Sequence, residues 1–142
     1  MLVFVSYARP DRERVVPFVD ALQAHGFDVW MDFRNLKAGQ DWRFEIERVM
    51  DRAEIILAFM SANSLDHRGF VQHELRSALD RASEKLADDI YLIPVMLDDG
   101  IEVPRPLRRL HFISASDTDV HVKIVDALNH QIGRLDLSGT EI

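Results

Sequence analysis

The chain has no cysteine among its 142 residues. That excludes a disulfide framework, thiolate chemistry and any Cys-based zinc site. No apolar run approaches the roughly 18 to 20 residues that a membrane span needs, and no basic region precedes an apolar stretch at the N-terminus. Positive charge is in short supply as well: the formal net charge is -7, which argues against a nucleic-acid-binding surface. Neither G-x-x-x-x-G-K-[ST] nor G-x-G-x-x-G occurs, so the P-loop and the usual dinucleotide fingerprint are both missing. Histidines 25, 67, 73, 111, 121 and 130 lack close ligand spacing, and no metal site is expected. These absences fit a cytoplasmic protein without a membrane or nucleic-acid partner, and an acidic balance alone names no partner.

The residues that are present describe one globular domain, 47% hydrophobic and 29% charged. Short β-branched and aromatic runs alternate with helical patterns. Leu2–Tyr7, Phe27–Asp32, Glu54–Met60, Ile90–Leu97 and Leu110–Ala115 read as strands. Pro94 suggests a place near an edge or a bulge. The spacing of Val15, Val16, Phe18, Val19 and Leu22 predicts a first helix, ending before Gly26 as its C′ residue. Phe33–Gln40 reads as a loop, and Asp41 as the cap of a helix carrying Phe44, Ile46, Val49 and Met50. Further helices are expected from about Phe70 to Leu86 and from Val120 to Ile132, and Leu135–Ile142 as a frayed tail. Strands alternating with helices imply βαβ crossovers: a five-stranded, mostly parallel sheet with helices on both faces.

Ligands of such sheets sit outside the carboxyl ends of the strands. A phosphoacceptor receiver of this layout needs an acidic pair after the first strand and an Asp ending the third, but Ser6-Tyr7-Ala8 and Met60-Ser61 stand there. The informative helix follows the third strand. Phe70, Val71, Leu75, Ala78, Leu79 and Ala82 form a stripe, and Glu74 lies on it, four residues after Phe70 and four before Ala78. A charge directed at the core is costly unless it is paired or faces a cleft. Glu74 either salt-bridges Arg68 or Arg109 at the stripe's margin, or faces the cleft with its charge kept by the helix dipole. In the second case it suits glycosidic chemistry, holding sugar hydroxyls and stabilising an oxocarbenium-like transition state. A cationic nicotinamide leaves without a general acid, so one carboxylate suffices.

Over residues 2 to 132 the chain resembles the Toll/interleukin receptor (TIR) domains. Val3–Asp11, VFVSYARPD, is similar to the family's opening F-[IV]-S-Y motif with a downstream Asp. His25–Trp42 resembles its second strand and following loop, with the G-x-x-[VI]-[WF]-x-D and L-x-x-G elements. Gly69–Leu79 resembles its third-helix motif, aromatic-[CV]-x-x-E-L. The resemblance implies a flavodoxin-like three-layer sandwich, with the TIR domain over 1–134 and a tail over 135–142. For many members it implies cleavage of NAD+, as substrate rather than cofactor, to nicotinamide and ADP-ribose or a cyclic isomer. The family's catalytic glutamate falls on Glu74, and its cleft positions on Ser6, Tyr7, Ala8, Arg9, Asp32, Phe33 and Arg34. Arg9 can neutralise a pyrophosphate, and Phe33 or Trp42 can stack on a base.

The bland readings stand beside these. Ser6 and Tyr7 could be turn and core, Asp32 a cap of the loop, and Trp30 core. Two departures are visible. Arg68-Gly69-Phe70-Val71 replaces the Ser-x-Trp-Cys of many relatives, and Arg34 stands where enzymatic members carry an acidic residue. The resemblance also implies self-association through the Phe33–Asp41 loop and a bacterial antiphage or cell-death signalling role. It leaves open a non-enzymatic adaptor or virulence module, a nucleoside-processing relative of the same fold, the reaction's product, and whether the chain is part of a longer protein.

Overall fold

The computed structural model describes residues 1–66, 70–85 and 89–140, without the side chains of Phe33, 65–73 and 136–140. Five strands form one sheet: β1 (Leu2–Ser6), β2 (Asp28–Trp30), β3 (Ile55–Met60), β4 (Leu92–Met96) and β5 (Ile113–Ser114). Their order is β2-β1-β3-β4-β5, and every pairing is parallel. The expected flavodoxin-like architecture is therefore present. The helices are α1 (Arg12–Ala24), α2 (Asp32–Asn35), α3 (Trp42–Arg52), α4 (Ala62–Asp66), α5 (Phe70–Ala82) and α6 (Val120–Thr140). Among the described residues, no helix is long and apolar enough to cross a membrane.

The sheet is covered on both faces, which is why β3 is buried at all six positions instead of alternating. Val3, Val5, Leu57 and Val95 pack beneath Phe18 and Val19 of α1 and Ile124 and Leu128 of α6. Phe4, Ile56, Ala58 and Met96 pack against Ile46, Val49 and Met50 of α3 and Ala78 of α5. Because strand side chains alternate, Ser6 shares the face of Phe4 and is turned toward the α3–α5 layer.

Pro94 sits one strand in from the edge. Leu97 N–H donates to Met60 of β3, and Ala115 N–H donates to the Met96 carbonyl. Alternation therefore turns Pro94 toward β5, whose pairing begins only opposite Val95. The missing N–H falls where there is no neighbouring strand to use it.

Several expectations need correction. Phe44 is 62% exposed instead of core; it lies two residues from Ile46, about 200° around the helix, so it faces away from the Ile46–Val49–Met50 stripe. Within the expected Phe33–Gln40 loop, Asp32–Asn35 makes a helical turn, because the Asn35 side chain accepts from Met31 N–H at 3.0 Å. The C-terminal segment continues α6 to Thr140 rather than fraying after Ile132. That helix is anchored late: the buried Gln131 accepts from Ile90 N–H at 2.8 Å, and Arg134 meets Asp89 at 2.9 Å, and each further residue added to a docked helix gains a backbone bond. The α5 helix ends at Ala82, short of the expected Leu86, which lies outside the described residues.

Asp41 does cap α3, accepting from Arg43 and Phe44 N–H at 3.1 and 3.3 Å. Gly26, with φ at +89°, ends α1 in the left-handed region. Replacing Asp41 with Ala should destabilise the domain by roughly 0.5–2 kcal/mol in urea denaturation, with the slope of the transition unchanged.

Candidate active site

Four of the residues singled out in the sequence meet at the carboxyl ends of β1 and β2. Ser6 closes β1 and is 5% exposed. Tyr7 follows on the opposite face, and its hydroxyl donates to Asp32 Oδ1 at 2.6 Å. That bond joins the end of β1 to the start of α2. Glu74 lies in the second turn of α5 with only 3% of its surface exposed. The Ser6 hydroxyl hydrogen-bonds its carboxyl, while Glu74 Oε2 has no hydrogen-bond partner.

This environment sets the protonation of Glu74. Burial comes first and the charge of Asp32 second, and together they raise its pKa well above the usual carboxylate range; the Ser6 hydrogen bond opposes them less strongly. No cation acts on Glu74 among the described groups: Arg109 lies beside the chain leading into β5, and Arg68 is outside the described residues. Tyr7 is also pushed up, by burial, by its bond to Asp32 and by the Asp32 charge, with Arg12 opposing and Glu74 adding to the rise. Tyr7 therefore stays a hydrogen-bond donor throughout the neutral range.

The other candidates are distributed around these four. Ala8 is fully buried, and Arg9 is exposed on the turn ahead of α1. Arg34 is drawn onto α1, bridging Asp20 at 2.8 Å and bonding Gln23 at 3.1 Å. Trp42 opens α3, is 38% exposed, and carries the Arg43 guanidinium 5.1 Å over its ring. The Phe33 side chain, like those of Phe70 and Val71, lies outside the described set. Trp30 stacks on Phe4 with ring centroids 5.2 Å apart.

Sequence reasoning missed a second cluster that holds the strand ends together. Asp11 is 1% exposed. Its carboxylate accepts from the Ser61 hydroxyl and, at 2.9 Å, from Asn63 Nδ2. Ser64 Oγ accepts from Ser61 N–H at 2.8 Å. Arg14 links Asp11 at 3.5 Å to Asp98 at 2.7 Å, and Asp98 accepts from Ala62 N–H at 3.1 Å. The turns after β1, β3 and β4 are thus tied into one polar frame. The available signal was the Asp of the opening motif, whose position before a helix resembles a cap; its side chain makes no cap bond.

Cavity size points elsewhere. A cavity of about 780 Å³ lies between the end of α5, the start of β4 and α6, lined by Leu79, Tyr91, Arg109 and Ala127 among others. None of Ser6, Tyr7, Asp32 or Glu74 lines it. We place the candidate site at the carboxyls because an unsatisfied buried oxygen and a strongly perturbed acid mark chemistry more specifically than volume does. Among the described residues, no group of His, Asp and Glu could hold a metal ion. The arrangement can present one carboxyl oxygen, desolvated and unengaged, to a ligand that brings hydroxyls or positive charge.

Comparison with known proteins places this geometry in context. The family model for the TIR domain matches residues 3–128. NAD(+) hydrolase TcpC of Escherichia coli O6:H1 is 32% identical over 80 residues, which is 56% of this chain but only 26% of that protein. The match thus spans about a quarter of that relative's length. The crystal structure of the TIR domain of the Toll-related receptor TRR-2 from Hydra magnipapillata superposes with a TM-score of 0.73 at 22% identity, covering 92% of this chain and 96% of that one. A metazoan TIR-STING receptor from C. gigas, in complex with 2',3'-cGAMP, gives 0.72 at 21% identity over 88% and 38%. At these identities the structures speak for the fold.

The raised pKa of Glu74 has a consequence for stability. A carboxyl whose folded pKa exceeds its unfolded value binds more protons in the folded state, so its contribution is full below the unfolded value and is lost as pH rises through the folded one. Glu74→Gln should therefore melt higher than the parent at neutral pH, with a flatter decline of Tm between pH 5 and 8. A variant that melts lower at pH 8 than the parent, with the same pH slope, would contradict the placement.

Proposed function

The chain belongs to the TIR-domain family, and we propose that it is an NAD+ glycohydrolase or cyclase whose acting group is Glu74. One observation carries this reading: a nearly fully buried carboxyl, bonded by Ser6 and with its second oxygen unengaged, stands at the carboxyl ends of the strands. The partial similarity to a protein named NAD(+) hydrolase supports the same chemistry.

In the complex Glu74, ionised, accepts hydrogen bonds from the ribose hydroxyls next to the nicotinamide. As the C1′–N bond breaks, its electron pair leaves with nicotinamide, which departs neutral, and positive charge develops on the ribose. The carboxylate is already in place and poorly solvated, so it stabilises that charge without reorganisation. Water then adds at C1′ and gives up a proton, yielding ADP-ribose; attack by the adenine or a ribose hydroxyl of the same molecule yields a cyclic isomer instead. Arg9, exposed beside the site, would pair with the pyrophosphate, while Phe33 and Trp42 would offer faces for a base. Asp32 and Tyr7 brace the entrance. The setting we propose is cytoplasmic, with self-association through the Phe33–Asp41 loop and a role in bacterial antiphage or cell-death signalling.

A second reading is a non-enzymatic TIR–TIR contact module, adaptor or virulence in type. The exposure of Trp42 and Phe44 directly after that loop favours it. Such a module has no use for an unengaged buried carboxyl, and activity separates the two.

Nicotinamide release from NAD+ at high protein concentration is the test. Glu74→Gln keeps the shape and removes the charge, and it should lower the rate by roughly 10²–10³-fold, as loss of a main transition-state contact does. A rate unchanged by the substitution would remove Glu74 from the chemistry.

A further inference from the structure

We propose that Arg34 is a positioning residue: its ion pair with α1 holds α2, and with it the loop of residues 36–40, in the orientation in which the loop meets a second copy of this chain. The inference deepens the proposed self-association and rests on that reading for what the loop meets; how the loop is held follows from this chain alone.

The α2 helix is one turn, Asp32–Asn35. A helix that short does not persist in water on its own backbone bonds, so side chains decide where it sits. The Asn35 side chain closes the turn on itself, accepting from Met31 N–H at 3.0 Å. Tyr7 ties its first residue, Asp32, to the end of β1 at 2.6 Å. Arg34 carries the turn onto α1: Nη2 meets Asp20 at 2.8 Å, and Nη1 donates to Gln23 at 3.1 Å. Asp20 and Gln23 stand three residues apart on one face of α1, and the planar guanidinium reaches both at once.

Beyond α2 the chain folds on itself. The Gln40 side chain accepts from Lys37 N–H at 2.7 Å, and Gln40 N–H donates to the Lys37 carbonyl at 3.1 Å. Gly39, with φ at +90°, supplies the left-handed residue of that turn. Leu36 N–H donates to the Asp32 carbonyl at 2.9 Å, which joins the turn directly to α2. Asp41 caps α3 at the far end. Residues 37–40 are exposed. A loop already closed in this way loses little freedom on association, provided that its root is fixed, and Arg34 fixes the root.

The side chains of Arg34 and Asp20 are 30% and 59% exposed. A surface ion pair of this kind shifts an equilibrium by about fivefold at most, and salt screens it. The fold rests on two apolar cores and does not depend on it. A held and a released loop differ by local contacts such as this one, so a fivefold shift is large for their balance.

Amide exchange with solvent, followed by NMR, reads this latch at Arg34, Asn35 and Leu36, whose N–H groups all bond within the turn. Sedimentation of the same samples reads self-association. At about 0.01 M salt, Arg34→Gln and Asp20→Asn should each speed these amides by up to about fivefold. The double variant should be no faster than Arg34→Gln alone. At about 1 M salt, where the Debye length is about 3 Å, the parent should match the double variant. Arg34→Lys should regain the salt response. The parent should self-associate more tightly than the double variant by a similar factor at low salt, and the difference should vanish at high salt. Amides indifferent to both substitutions, or effects that simply add, overturn the latch. Latch-dependent exchange with equal association of parent and double variant overturns its role in contact between copies. Association that follows the latch in a protein that leaves NAD+ intact keeps the proposal and removes the glycohydrolase reading; NAD+ cleavage with association indifferent to Arg34 does the reverse.

Discussion

A carboxyl inserted beneath the ends of two parallel strands, answered among the described residues by the Ser6 hydroxyl, is the arrangement on which the rest of this site depends. Among the described groups no cation acts on Glu74, and burial together with the charge of Asp32 raises its pKa by disfavouring the ionised form. Alternation along β1 turns Ser6 toward α5 while Tyr7 reaches the other way to Asp32. One strand end therefore serves both acids. The frame built on Asp11, Ser61, Asn63, Arg14 and Asp98 ties the turns after β1, β3 and β4 to one another.

Much of the architecture was legible because it follows from periodicity. Five short apolar runs separated by helical patterns allow few topologies once crossovers must be right-handed and short. Glu74 stood out for the same reason, as a charge on a stripe of otherwise apolar positions. The upward shift of its pKa was not legible. That depends on Asp32, 42 positions earlier in the chain, and on which way Ser6 faces, and both are properties of the assembled sheet.

Other departures also trace to long-range contacts. Arg34 looks like a cleft residue by position, yet Asp20 and Gln23 on α1 hold it away. Phe44 looks like core by hydrophobicity, but the α3 stripe turns about Ile46 and leaves it in solvent. The segment after Ile132 is rich in residues that weaken helices, and anchoring by Gln131 and Arg134 to Ile90 and Asp89 ahead of β4 carries the helix onward all the same. Asp11 was noticed as part of a motif, and its role as a structural acceptor became visible only when β3 brought Ser61 alongside.

The most direct measurement is the protonation of Glu74 itself. Side-chain ¹³C chemical shifts of glutamate carboxyls, followed by NMR from pH 3 to 9 and assigned by comparison with Glu74→Gln, report each group separately. Glu74 should hold the shift of a protonated acid after the exposed glutamates have titrated, and in Asp32→Asn its transition should move to lower pH. A Glu74 carboxyl that titrates together with the exposed glutamates would contradict a buried, proton-bearing acid at the centre of this site.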